Sequence, residues 1–467
     1  MKMWSGRFRE PLDPAFERWQ RSFPFDQRLL KYELQASRAY AHGLRTVGVL
    51  SAEELKSIES GLDKIGEQAL VSPNFLNDDE AEDVHHFVEK QLAALIGDTA
   101  LKLHSGRSRN EQIATNLRLY VRESIDQLNI SLAELQDVFV GRAEQAGGAS
   151  MPAYTHLQRA EPVLVGHWLL AYFEMFLRDA ERLQDCRWRV NLCPLGAGAL
   201  AGSTLALDRE AMAEELGFDA PTANSIDTVS DRDFGIEYVN AVAQLALHLS
   251  RWAEEMILFS TTEFGFVTLP EAFSTGSSAM PQKKNPDLLE LTRGKAGRLL
   301  GDATALQVSV KGLPLAYNKD LQETQEPLFD ASETMLALVP LVAEWMKKVE
   351  LNIERMQQTA GSGFMNAFAA ATYLAEKGVP FRLAHEQIGK AVHVCLERNC
   401  ELKDLSLDEL RQINSAFDQD FYSCLPVNAV LAIHNVTGGT APARVAQAIA
   451  EAKEKLSIMR GAAHAHA

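Results

Sequence analysis

An all-α chain organised around long helices is what the sequence predicts, and three observations predict it. Five stretches carry apolar residues at helical spacing: Glu111 to Ala146, Pro162 to Val190, Ile236 to Ser260, Asp287 to Val310 and Glu326 to Thr359. Several would be roughly 35–50 Å long at about 1.5 Å per residue. The second observation is the scarcity of alternating, strand-like patterns. The third is that segments such as Pro162 to Phe176 (PVLVGHWLLAYFEMF) are apolar around most of the helix circumference. Such a helix must be buried on most sides, which a bundle completed by other subunits achieves.

The elements follow in order. Pro11, Pro14 and Pro24 break up the beginning, and Phe25 to Val47 reads as a helix. Ser51-Ala-Glu-Glu54 has the spacing of a capping box and opens the next one. Pro73-Asn74 breaks the chain before an acidic segment, Asn77 to Asp83, that runs into His85 and His86. Adjacent histidines face different sides of a helix, so a shared metal is not expected, whereas one of them facing a cleft is. In the long stretch Ile236 to Ser260, the residues Ile236, Val239, Val242, Leu245, Leu249, Trp252, Met256 and Phe259 recur at helical spacing. Beyond Gly361 the helices shorten to Met365–Glu376, Arg382–Arg398 and Ser406–Ala416. Gly438-Gly439 turns the chain, and Pro442 opens a last helix through Leu456, followed by an Ala-His tail that reads as a frayed end.

Composition narrows the function classes. The chain has 467 residues, enough for two to four domains, and a formal charge of −17. That charge argues against nucleic acid as a partner and requires a local basic pocket for any anionic substrate. No apolar run is long enough to span a membrane, and MKMWSGRFRE lacks the apolar run of a signal peptide. Five cysteines, an odd number with no CxxC pair, point to a reducing cytoplasm without a disulfide framework or a zinc site.

Chemistry concentrates in four polar clusters at helix ends. Phe273 to Glu290 (FSTGSSAMPQKKNPDLLE) brings hydroxyls, two ammoniums and an amide to a helix start. It reads as an anion cradle or, more plainly, as a solvated linker. Gly276 offers dihedral freedom, and Pro286 suits a first helical turn. His104-Ser-Gly-Arg-Ser-Arg-Asn-Glu111 sets two arginines at a helix mouth, where forked donors suit carboxylates. Pro152 to Pro162 carries His156, either a satisfied loop histidine or an acid–base group. Asn318-Lys319-Asp320-Leu-Gln322 is the fourth. Two lookalikes fail: Gly196 to Gly202 has its third glycine one residue late for a dinucleotide fingerprint and no strand before it, and His385-Glu386 lacks the second zincin histidine.

Taken together, HSGRSRNEQ, PAYTHLQRAEP, GSSAMPQKKNPD and YNKDLQE resemble the argininosuccinate lyase family of the fumarase/aspartase superfamily. WSGRF, PLGAGALAG, SDRDF, FRLAHEQIGKAV and GGTAP extend the resemblance over essentially the whole chain. It implies a three-domain all-α fold, with an N-terminal domain 1–108, a central long-helix bundle 109–360 and a C-terminal domain 361–467. The bundle would assemble into a tetrameric helical core, with each active site built from three subunits of a cytoplasmic homotetramer. The implied reaction is reversible elimination of argininosuccinate to arginine and fumarate, without metal or organic cofactor.

By motif, the resemblance makes Ser277 the base, whose alkoxide the loop amides and Lys283 would have to stabilise. Lys283 and Asn285 would hold the substrate and the developing dianion, and His156 would be the acid, oriented by Glu290. Thr155, Arg109 and Asn110 would bind the succinyl carboxylates. Ser22, Tyr317 and Gln322 would contact the arginine half, with Asp83 and His85 as cleft residues of the same site.

The chain departs from the family pattern in two places. Where the family reads QEDKEP, this chain reads Gln322-Glu-Thr-Gln-Glu-Pro327, so the neutral Gln325 replaces a substrate-contacting lysine. AIHNVTGGTAP, with His434, also departs from an arginine-containing pattern. Two alternatives therefore stand beside the main reading: a related C–N lyase acting on another N-substituted aspartate, and a non-catalytic, crystallin-like relative.

Overall fold

A computed structural model describes residues 10–466, with side chains described through residue 459, so the WSGRF motif at residues 4–8 lies outside the described residues. The chain is predominantly helical, and the strands among the described residues form four two-stranded ladders. The five long helices are Arg109–Ala146, Val165–Val190, Asp233–Ser260, Asp287–Val310 and Gln325–Lys348. Each contributes residues to both of two compact units. One unit comprises residues 1–127, 181–244 and 297–335; the other comprises 128–180, 245–296 and 336–467.

Local chemistry accounts for the boundaries. At Ser51 the box closes as expected: Ser51 Oγ accepts from Glu54 N at 3.1 Å, and Glu54 Oε2 accepts from Ser51 N at 2.9 Å. Ser108 N donates to Glu111 Oε1 at 3.0 Å, and Asn110 N donates to Ser108 Oγ at 3.2 Å, opening the Arg109 helix in the same style. Along Asp233–Ser260 the apolar series from Val239 to Phe259 is buried, as its spacing requires. Trp252 stands edge-on to Trp345 at 5.1 Å, with both rings fully buried in the second unit's core. In the first unit, Tyr120 meets Phe329 at 5.0 Å and Phe23 stacks on Phe87 at 4.9 Å.

Four elements differ from the sequence reading. Phe25 to Val47 is a short helix, Phe23–Asp26, one 3₁₀ turn and then Leu30–Thr46. Glu326 to Thr359 is not one helix. Gln325–Lys348 ends, Glu350–Leu351 pairs with Val267–Thr268, and Asn352 caps a new helix, Ile353–Ala360, by accepting from Arg355 N at 3.1 Å. A local amide cap and a distant strand partner together outweigh helical periodicity there. Pro162 to Leu164 belong to a strand and not to the following helix, which starts at Val165. The last helix continues past Leu456, running Pro442–His466.

The segment after residue 361 has its own apolar cluster, in which Leu374, Ala384, Ile388, Cys395, Leu410 and Phe421 are buried together. No helix among the described residues is long and apolar enough to cross a membrane.

Candidate functional site

The first unit gathers most of the residues expected to bind substrate. Ser22 N donates to Glu82 O at 2.9 Å, and Ser22 Oγ donates to Asp26 Oδ2 at 2.6 Å. Asp26 Oδ1 in turn accepts from Val84 N at 3.0 Å. Asp83 caps the helix Val84–Ile96 by accepting from His86 N at 2.7 Å, while Arg109 reaches Asp83 at 3.1 Å and Glu82 at 3.3 Å. Burial opposes the charge on Arg109, but Asp83 and Glu82 outweigh it and raise its pKa. Gln322 Nε2 donates to Gln20 O at 3.1 Å, beside Ser22 in sequence. Burial raises the Tyr317 phenol, with Arg232 opposing and Asp83 and Glu82 reinforcing the shift. Ala316, just before it, holds φ 65°, a conformation costly for a residue with a Cβ.

Two expected contact residues lie in the interior. His85, expected in a cleft, is 4 % exposed, with Nδ1 2.6 Å from Glu33 Oε2. Glu33 also accepts from Ser37 Oγ at 2.8 Å, Gln112 Nε2 at 2.9 Å and Asn116 Nδ2 at 2.8 Å, and Arg107 lies 3.6 Å away. Burial works against the Glu33 carboxylate, but His85 and Arg107 more than compensate and hold its pKa low. Burial likewise disfavours the His85 cation, and Glu33 reverses that, so its pKa is raised. Gln325 is 2 % exposed, and its Oε1 has no hydrogen-bond partner.

Sequence reading missed this buried centre. Leu30, Glu33, Ser37 and Leu44 fall on the inward stripe of one helix, and a glutamate on that stripe was the available signal. Asp26 was missed as well. Burial and the neighbouring Asp83 push its carboxyl up to about 7.

Asn110 Nδ2 donates to Ala199 O at 3.1 Å, and Glu111 Oε2 accepts from Gly198 N at 3.0 Å. The glycine-rich segment thus docks on the helix mouth. Gly198 holds φ 62°, and a Cβ there would stand 2.7 Å from Gly202 O, which is why small residues recur in it.

The second unit carries the residues expected to do chemistry, on two hairpins. In the first, β1 (Ser150–Thr155) pairs antiparallel with β2 (Gln158–Leu164). Thr155 faces Gln158 across a two-residue turn made of His156 at φ 55° and Leu157 at φ 59°. Positive φ at both central residues matches the twist of a two-residue hairpin, normally supplied by Asn and Gly. His156 therefore projects at an exposed tip in a conformation that costs on the order of 1 kcal/mol. On β2, Glu161 Oε1 lies 3.3 Å from His434 Nε2, joining one departure from the family pattern to this hairpin.

The second hairpin pins the base of the loop that holds Ser277. β3 (Thr275–Gly276) pairs with β4 (Lys284–Asn285), and Asn285 Nδ2 donates to Thr275 Oγ1 at 3.3 Å and to Gly276 O at 3.4 Å. Gly276 takes no left-handed conformation and is simply a strand residue. The freedom expected of it is unused because its backbone is committed to the ladder. At the tip, Ser277 Oγ accepts from Ala279 N at 3.3 Å and from Met280 N at 3.1 Å. Two amides thus point at the oxygen where an alkoxide's charge would reside. Lys283 and Glu290 are exposed, and Asn285 is half-buried. Among the described residues, no hydrogen bond or ion pair joins the His156 turn to this loop. Nor do any three His, Cys, Asp or Glu side chains come together as a metal site requires.

Comparison with known proteins identifies the family and the fold. Residues 6–301 match the family model described as Lyase, and residues 364–432 match that of the argininosuccinate lyase C-terminal region. An argininosuccinate lyase of Koribacter versatilis is 57% identical over 467 residues, covering 100% of both chains. The chain belongs to the argininosuccinate lyase family. A solved EDDS lyase in complex with formate superposes with a TM-score of 0.86 at 27% identity, covering 98% of this chain and 93% of that one. A class II fumarase of Schistosoma mansoni shares the fold, with a TM-score of 0.72 at 16% identity, covering 85% of this chain and 89% of the fumarase. The expected all-α fold of the fumarase/aspartase superfamily is therefore the observed one. Argininosuccinate lyase membership spans the whole chain, including the segment with its own apolar cluster.

Proposed function

We propose that the protein is an argininosuccinate lyase, catalysing reversible elimination of argininosuccinate to L-arginine and fumarate. The observation that carries this reading is the pair of amides aimed at Ser277 Oγ, in a chain of this family. The hard step is removal of a proton from the carbon beside a carboxylate. Ser277 as alkoxide takes that proton, and the amides of Ala279 and Met280, with Lys283, lower the cost of its charge. Lys283 and Asn285 stabilise the resulting dianion. His156, oriented by Glu290, protonates the departing guanidino nitrogen. Thr155, Arg109 and Asn110 hold the succinyl carboxylates, while Ser22, Tyr317, Gln322 and Gln325, near Asp83 and His85, face the arginine half.

These groups lie on separate segments. That separation favours active sites shared between subunits; membership of the family supports a cytoplasmic homotetramer with the domain division 1–108, 109–360 and 361–467. The deciding experiment follows fumarate absorbance when purified protein meets argininosuccinate, beside adenylosuccinate and aspartate. No rise at millimolar argininosuccinate overturns the reading. Ser277→Ala is expected to abolish turnover while size-exclusion chromatography shows an unchanged oligomer; near-normal turnover removes Ser277 as the base.

Gln325 favours a second reading. A neutral, buried amide with an unpartnered oxygen suits a different amino-group half, and hence another N-substituted aspartate. The substrate panel decides: argininosuccinate as clearly the best substrate eliminates it.

A further inference from the structure

A pocket of about 430 Å³ lies within the second unit, against the side of the His156 hairpin. Tyr154 and Arg159 of the hairpin line it, together with Phe264 from the turn after the helix Asp233–Ser260 and Arg355 from the helix Ile353–Ala360. Tyr154 and Phe264 meet edge to face at 5.5 Å and form an apolar wall. Arg159 is the cross-strand partner of Tyr154, and Arg355 Nε donates to Phe264 O at 3.4 Å, so both cations flank that wall. Neither guanidinium has a carboxylate partner among the described residues. Glu263 is the one acidic group in the lining, which leaves the pocket net positive in a chain of charge −17. None of the lining residues has a role in the reaction proposed above.

A concave site with an aromatic wall and a few convergent polar groups is the general form of a small-molecule site. Forked guanidinium donors select carboxylates, and a flat conjugated body packs on aromatic faces at little entropic cost. We propose that this pocket is a second binding site, taking a small, flat organic dicarboxylate whose charges meet Arg159 and Arg355 and whose body lies on Tyr154 and Phe264. Arg159 is three residues from His156 on the same hairpin, so occupancy braces the strand next to the strained turn. The inference rests on the pocket alone and holds whatever the enzyme's substrate proves to be.

Isothermal titration of the full-length protein with isophthalate tests it, using wild type, Arg355→Met, Arg159→Met and Lys283→Ala. Saturable binding at about millimolar affinity or tighter is expected. Each arginine variant should weaken it roughly 10- to 100-fold, the effect of losing a charge-assisted hydrogen bond. Lys283→Ala, which alters only the loop carrying Ser277, should leave it unchanged. Absence of saturable binding, wild-type affinity in Arg355→Met, or loss of binding in Lys283→Ala would each overturn the proposal; the last would place the anion at the lysine loop.

Discussion

Glu33→Gln tests the buried centre of the first unit most directly. The carboxylate accepts hydrogen bonds from Ser37, His85, Gln112 and Asn116 and faces Arg107 at 3.6 Å, with the Glu33 and Arg107 side chains each 2 % exposed. Glutamine keeps the shape but removes the charge. Its amide nitrogen must also replace one of two oxygens that each face donors, Ser37 and Gln112 on one side, His85 and Asn116 on the other. A donor then meets donors, and two buried cations lose their counter-charge. Breaking such a buried pair by altering one partner costs about 3–5 kcal/mol. For a chain of this size that corresponds to a melting-temperature drop of about 3–5 °C.

The pH dependence of that loss has a definite sign. Glu33, with its pKa lowered from 4.5, contributes stability above that value and loses it as pH falls. His85, with its pKa raised from 6.5, contributes fully below that value and loses it as pH rises through the folded pKa. Wild type and Glu33→Gln should therefore differ most between about pH 4.5 and 6.5. The assay is thermal unfolding followed by circular dichroism across pH, repeated in a His85→Leu background. There the second substitution should cost at least about 1.5 kcal/mol less than in wild type. A loss under about 1 kcal/mol for Glu33→Gln, or strict additivity with His85→Leu, refutes the reasoning.

Two further outcomes are expected. Asp26, raised from 3.8 to about 7, favours the fold when protonated, so its contribution is complete below pH 3.8 and is lost as pH rises toward 7. Asp26→Asn should accordingly flatten the fall in melting temperature over that interval; superimposable wild-type and variant profiles would contradict it. Gln325→Lys restores the charge that the family pattern carries there. It should lower KM for argininosuccinate about three- to tenfold with little change in kcat, at a cost in thermal stability from burying an ammonium. An unchanged KM would show that Gln325 does not face the substrate.

The Ser51 box, the helix Asp287–Val310 and the apolar series through Trp252 were legible because helical period and capping depend on residues three or four apart. So were the four polar clusters, whose residue types declare their chemistry wherever the chain places them. Tertiary structure decided what depends on distant partners. His156 occupies a left-handed turn because β1 and β2 pair around it, although neither His nor Leu signals such a turn. Gly276 offered dihedral freedom, yet its backbone is spent on a ladder with Lys284. Glu33 looked like one more helical glutamate until His85, Arg107, Gln112 and Asn116 arrived from segments 52 to 83 residues away. By itself the sequence determined where most of the long helices lie and which groups could act on a carboxylate. Only the tertiary structure decided which charges are buried and paired, because desolvation and Coulomb energy depend on distance in space rather than along the chain.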